Sequence, residues 1–160
     1  PLPEAQLDRF LFKHRVSYPD AQEEKAIIIH HGGGTASHDI KQYGITAQAD
    51  RKTLEKALAT VGEVTLVDDV VDYIARLVRA TRASPDLEVG ASPRAGAMLA
   101  RAARARAALD GRAYVIPDDV KALAVPALRH RVILSPAAQI DGRLVEQIVT
   151  DLVDQTEAPR

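Results

Sequence analysis

Gly90-Ala91-Ser92-Pro93-Arg94-Ala95-Gly96 (GASPRAG) stands just ahead of a long alanine-rich run, and its reading decides how the chain around it folds. Ser followed by Pro predicts a helix start. The Ser hydroxyl can cap exposed first-turn amides, and proline at the first helical position gives up an N–H that has no partner there. Arg94 follows at once, at the positive end of the helix dipole, where a cation costs about 0.3–1 kcal/mol. Either a solvated surface tolerates that charge, or an anion is meant to meet it.

Working outward from this start, the second half of the chain is helical by period. Ala95, Met98, Leu99, Ala102, Ala105 and Leu109 predict a helix ending at Asp110-Gly111. Before it, Leu54, Leu58 and Val61 mark one amphipathic helix ending at Gly62. Val70, Val71, Ile74, Leu77 and Val78 mark another, with Asp68 and Asp69 at its acidic start. After it come Val120, Leu123, Ala124 and Leu128, opening at Pro117-Asp118-Asp119, and then Leu144, Ile148 and Leu152. Pro126 is expected to kink or split its helix. Each apolar stripe needs a partner face, and short connections favour antiparallel neighbours. A helical bundle from about Arg51 to Gln155 follows, with Val64–Leu66 and Tyr114–Ile116 as short pieces that could pair between helices.

The first part reads differently. Pro3 to Phe10 suits a short helix, and Leu11 to Tyr18 (LFKHRVSY), with its β-branched and aromatic residues, predicts a short strand broken by Pro19-Asp20. Ala21 to His31 suits a helix ended by Gly32-Gly33-Gly34, and Thr35 to Asp50 a polar linker or loop. The abrupt start on Pro1 suggests a chain cut from something longer.

Composition bounds the function. The 160 residues hold 46% hydrophobic and 27% charged side chains, a soluble globular balance. Aromatics are only 4%, so the core must be Ala, Leu, Val and Ile, which favours packed helices over a sandwich. A net charge of −1 gives no global pull toward nucleic acid or anionic membrane. The absence of cysteine excludes disulfides and thiolate metal sites. With no spanning apolar run and no signal-peptide pattern, a cytoplasmic protein is expected.

Most candidate chemistry has a plainer account. The triple glycine lacks the Lys-Ser/Thr of a phosphate loop and follows a helix rather than a strand. Val64–Asp69 resembles a strand ending in magnesium-holding acids, but Asp68 and Asp69 also suit a helix start. His30, His31, His38 and Asp39 lack the one-turn spacing of zinc hydrolases. Arg101, Arg104, Arg106 and Arg112 spread around a helix with no aromatics interleaved for stacking on bases. Two arginines are left: Arg94 at its helix start, and Arg9 in LDRF between the short helix and the expected strand.

PLPEAQLDRF (1–10), GASPRA (90–95), GRAYVIPDDV (111–120) and LRHRV (128–132) together resemble the MoxR family of AAA+ ATPases along almost the whole chain. The resemblance implies a mainly α fold: a helical lid domain preceded by a short α/β remnant of the nucleotide-binding core. The expected domains are 1–19 for the remnant, 20–50 for a helix and polar linker, and 51–160 for the lid. Arg9 matches the arginine finger that acts in a neighbouring subunit's site. Arg94 matches the sensor 2 arginine, with Ser92 and Pro93 beside it in the nucleotide-binding motif. The implied cofactors are ATP and Mg in the intact parent, with no tight binding to this piece, and no metal site of its own. The implied partners are further subunits in a ring, a hexamer by the resemblance, and proteins carrying von Willebrand factor A domains. Neither nucleic acid nor a membrane span is expected. The sequence departs from the family in having no GxxxxGK[S/T] loop and no clear magnesium acids, so the chain alone should not hydrolyse ATP. Ile116 stands where a capping Thr is more usual. The alternative is a non-catalytic helical module for protein interaction.

Overall fold

A computed structural model describes residues 3–32 and 43–159, except for the side chains of Glu4 and Ala5. Gly33, Gly34, His38, Asp39 and the first part of the Thr35–Asp50 linker lie outside the described residues, as do Pro1 and Leu2 of the first motif. The chain divides into two compact units. One takes in the chain up to His14 and from Ala57 onward, and the other runs from Arg15 to Lys56.

The chain is mainly α. Its helices are α1 (Glu4–Leu7), α2 (Ala21–Gly32), α3 (Arg51–Glu63), α4 (Asp68–Ala83), α5 (Pro93–Leu109), α6 (Pro117–Leu128), α7 (Pro136–Ile140) and α8 (Val145–Gln155). Strands β1 (Leu87–Val89) and β2 (Ile133–Leu134) form one antiparallel pair with an irregular register between Leu87 and Val89.

In the larger unit, α5 packs on α4 and α6, and α8 lies against α4 and α6. The expected periodicities set this core. Ile74, Leu77 and Val78 of α4 are buried with Leu99 and Ala103 of α5, Val120 and Leu128 of α6, and Ile148, Val149 and Val153 of α8. Alanine dominates the contact face of α5, with Ala95, Ala103 and Ala107 fully covered. Small side chains there let neighbouring helices approach closely, which explains a tight core with few aromatics.

The buried stripes are narrower than the periodicity predicts. Leu109 ends α5 at 88% exposure, and Val71 faces outward from α4. Pro126 does not split α6. It sits one turn from the end, and the N–H it lacks would have reached back to Ala122, an exposed residue whose carbonyl water can satisfy.

The expected strand at Leu11–Tyr18 is absent. Its residues have no neighbouring strand, and Phe10, Leu11 and Phe12 are largely exposed. The suggested pairing of Val64–Leu66 with Tyr114–Ile116 survives as a single parallel bridge, Thr65 to Tyr114. It is held by Thr65 N–H to the Ala113 carbonyl at 2.8 Å and Val115 N–H to the Thr65 carbonyl at 3.0 Å. Helix α3 forms as expected, but Leu54 and Leu58 stay exposed and Val61 is only half-buried, so its stripe is incompletely covered, Leu58 and Val61 sharing an open groove with Met98 and Ala105.

Candidate functional site

The GASPRAG segment is fixed from below by α4. A Cβ at Gly90 would lie 2.5–2.6 Å from the side chain and backbone of Arg82, so only glycine lets the chain cross there. Ala91 is fully buried, and its N–H donates to the Thr81 hydroxyl at 2.9 Å. Thr81, itself fully buried, donates onward to the Val78 carbonyl at 2.7 Å. Helix α5 then starts with Ser92 as its extended N-terminal residue and Pro93 at the first position.

Ser92 does not cap the helix with its side chain. Its hydroxyl instead donates to the carboxylate of Asp8, at 3.1 and 3.2 Å from the two oxygens. The cap position is the expected one, but the hydroxyl is turned toward the Asp8 carboxylate and its oxygen accepts no first-turn N–H.

Arg94 lies in the first turn of α5 and is exposed. Among the described residues no hydrogen bond or ion pair holds its guanidinium. Beside Pro93, a groove of about 430 Å³ runs between α4 and α5, lined by Val71, Ile74, Val78 and the cations Arg79 and Arg82. Arg9 follows α1, is exposed, and lies over the Phe10 ring at 5.8 Å from its centroid.

The segment carrying Arg9 is gripped by the residues after α6, a feature that sequence reasoning missed. Arg131 has a fully buried side chain. Its Nε approaches the Asp8 carboxylate at 3.2 Å, and its Nη2 donates to the carbonyls of Asp8 (2.9 Å) and Phe10 (2.6 Å). Its Nη1 donates to the Leu11 carbonyl at 3.3 Å and also to that of Ala127. Burial lowers the guanidinium's proton affinity; the Asp8 charge raises it again, and the nearby Arg94 charge lowers it. Arginine remains cationic throughout.

Its neighbours act on the same segment. Arg129 donates to the Lys13 carbonyl, and the Lys13 N–H donates to the Pro126 carbonyl at 3.0 Å. His130 Nε2 donates to the Phe10 carbonyl at 2.8 Å. Burial, opposed by that hydrogen bond and reinforced by the charges of Arg131, Lys13 and Arg129, holds the imidazole below its ordinary pKa. It is therefore neutral near pH 7. A hollow of about 190 Å³ lies where these parts meet, bordered by Asp8, Gly90, Ser92, His130 and Arg131. The sequence signal was the LRHRV cluster directly after an apolar helix, but nothing in it indicates that one arginine is inside.

The basic run has a structural task in part. Arg112 binds the buried Asp119 carboxylate through two nitrogens, at 2.6 and 2.8 Å, and Arg106 approaches it at 3.4 Å. Asp119 also accepts the Ile116 N–H at 3.0 Å, which fixes the start of α6 without a capping Thr. Burial alone would raise this carboxyl's pKa; the Arg112 hydrogen bonds, the Ile116 N–H and the nearby charges outweigh it and hold it below the ordinary carboxylate range. Asp68 and Asp69 sit in the first turn of α4, and His30 and His31 in the last turn of α2, all exposed.

Residues 79–152 match the AAA lid domain. Over 99% of its length the chain is 39% identical to the uncharacterized protein YeaC of Bacillus subtilis, and also over 99% it is 40% identical to Chaperone MoxR1 of Mycobacterium tuberculosis. These similarities support the C-terminal region of a MoxR-like AAA+ ATPase. A crystal structure of a candidate ATPase from Cytophaga hutchinsonii superposes on all of it with a TM-score of 0.82 at 29% identity. The chain spans 48% of the YeaC protein, 42% of MoxR1 and 50% of the Cytophaga chain, so it corresponds to about half of each. The lid match covers α5 through α7 whole, with the end of α4 and most of α8, and includes both the Arg94 helix start and the Arg131 cluster. Among the described residues no helix is long and apolar enough to cross a membrane.

Proposed function

We propose that this chain is the lid-bearing half of an ATPase that uses ATP and Mg to remodel or mature other proteins, and that Arg94 and Arg9 are its two phosphate-facing cations. In this reading residues 1–19 belong to the nucleotide-binding core, 20–50 to a connecting segment and 51–160 to the lid. The observation that carries it is Arg94. An arginine in the first turn of a 17-residue helix, without an anionic partner among the described residues, is a cation in an unfavourable place. A bound polyphosphate removes that penalty, because the first-turn amides and the guanidinium then face the same anion. Ser92 and Pro93 set the helix start that presents it. The bound nucleotide supplies the energy of phosphoryl transfer.

Arg9 is the finger in this reading. Its side chain is exposed while the residues on either side of it are held through their carbonyls, so a charge is presented from a fixed backbone. Delivered to a neighbouring subunit in a ring, such a charge can be worth about 10³–10⁵ in rate. The MoxR1 name supports a chaperone-like role, and von Willebrand factor A domain proteins are the clients we propose.

The test uses the whole ATPase that carries this chain. Arg94→Ala and Arg9→Ala, made singly, should each cut ATP turnover at least tenfold. The Arg9→Ala loss should be relieved in mixed rings where a neighbour donates an intact finger. Turnover unchanged by both substitutions would refute the reading.

A further inference from the structure

Asp8 and Ser92 are far apart in sequence yet joined in space, and each stands next to one of the proposed phosphate-facing arginines or one residue removed from it. Asp8 precedes Arg9, and its carboxylate accepts from Ser92, which opens the helix that carries Arg94. Arg131 completes the connection. One buried guanidinium meets the Asp8 carboxylate and the carbonyls of Asp8, Phe10 and Leu11. We propose that Arg131 is a positioning residue: with Asp8 it clamps the Arg9 segment onto the start of α5, so that finger and sensor move as one body.

Three observations favour this over a purely structural role. The donors of Arg131 are spent mainly on Asp8, Phe10 and Leu11, with Ala127 the one carbonyl from α6 and Met98 Sδ at 3.0 Å the remaining contact. A group that only closed the end of α6 would not need to reach across to that segment. The segment has no secondary structure between Leu11 and Asp20, so the guanidinium supplies the order that a strand partner otherwise would. The clamp also leaves the Arg9 side chain itself exposed. Lysine cannot replace Arg131, because three donors on a point charge do not match a planar fork serving several carbonyls.

The proposal rests on the finger reading, and the experiment separates the two. In the whole ATPase, Arg131→Met should lower kcat about tenfold to a hundredfold, the scale expected when a catalytic group is misplaced by about an ångström. KM for ATP should stay within about twofold, since Arg94 and the Ala91–Thr81 support beneath its helix are unaltered. Arg9→Ala with Arg131→Met should be no slower than Arg9→Ala alone. Amide exchange at Phe10 to Lys13 should accelerate while α4 and α5 keep their protection. Should Arg131→Met fail to fold, Asp8→Ala removes the shared acceptor from a partly exposed side chain and should move kcat and exchange in the same direction. An Arg131→Met enzyme with normal kcat beside a crippled Arg9→Ala enzyme would overturn the clamp, as would losses that multiply in the double variant. A normal Arg9→Ala enzyme would instead overturn the finger reading, and the clamp's role in catalysis with it.

Discussion

Thr81→Val tests the support beneath the Arg94 helix. The Thr81 hydroxyl is the acceptor for the Ala91 N–H, and both residues are fully buried. Valine has nearly the same shape, so no cavity opens, but the Ala91 N–H loses its acceptor in a place water does not reach. The Val78 carbonyl keeps its helical partner and suffers little. Leaving one buried donor unsatisfied costs about 1–3 kcal/mol. Urea unfolding should report that loss through the midpoint at an unchanged slope. Hydrogen exchange gives a sharper readout, because the same loss should speed exchange of the Ala91 amide about 5- to 150-fold. Thr81→Ser is the control. It forfeits one methyl, about 0.8 kcal/mol, but keeps the bond, so Ala91 should remain protected. A valine variant within about 0.5 kcal/mol of the parent, with Ala91 exchange unchanged, would show that this hydroxyl does not hold the segment.

Two glycines of the motif should respond with opposite signs. Gly90→Ala drives a Cβ into the backbone of Arg82 and should cost about 1–3 kcal/mol by thermal unfolding. Gly96→Ala meets Val78 Cγ2 at 3.4 Å and Ile74 Cγ2 at 3.6 Å, both ordinary contacts, and should stabilise α5 by about 0.5–1 kcal/mol. Asp119 predicts a pH dependence. Its folded pKa is depressed, so its contribution is present above its unfolded value, about 3.9, and is lost as the pH falls through the folded one. Asp119→Asn should cost about 1.5–3 kcal/mol at pH 7 and flatten the stability profile below pH 4, as followed by circular dichroism.

The helices of the lid were legible because burial on one face writes a period of 3.6 into the sequence. The same rule overreached at α3, where the stripe of Leu54 and Leu58 is present but incompletely covered. A period reports that a face is apolar, not that a partner is at hand. Leu11–Tyr18 fails for a related reason. Its composition suits a strand, yet strands exist by pairing, and the carbonyls of Phe10, Leu11 and Lys13 are taken by Arg131, His130 and Arg129. Strands β1 and β2 and helix α7 are too short to carry a period. For α7 a signal was present nevertheless, since Ser135-Pro136 repeats the Ser92-Pro93 start, and here the Ser side chain does accept an N–H, from Ala138.

The two Ser-Pro starts show which residues of GASPRAG the fold requires. Gly90 is there because the backbone of Arg82 is close, and Ala91 is fully buried with its N–H on the Thr81 hydroxyl. Ala95 is fully buried against the core, and Ser92 answers to Asp8. Each would be needed in any helical cap with this crossing, whatever the cap does, so none of them argues for a nucleotide. Arg94 is different. Among the described residues it meets nothing that asks for a guanidinium; it opposes the dipole of its own helix, and it lies close enough to the buried Arg131 to lower that residue's proton affinity. A fold under selection for stability alone would place Asp or Glu there, which the dipole favours and which Arg131 would attract. The positive charge persists against both effects; on the proposed reading, an anion arriving at the start of α5 would reverse the sign of each.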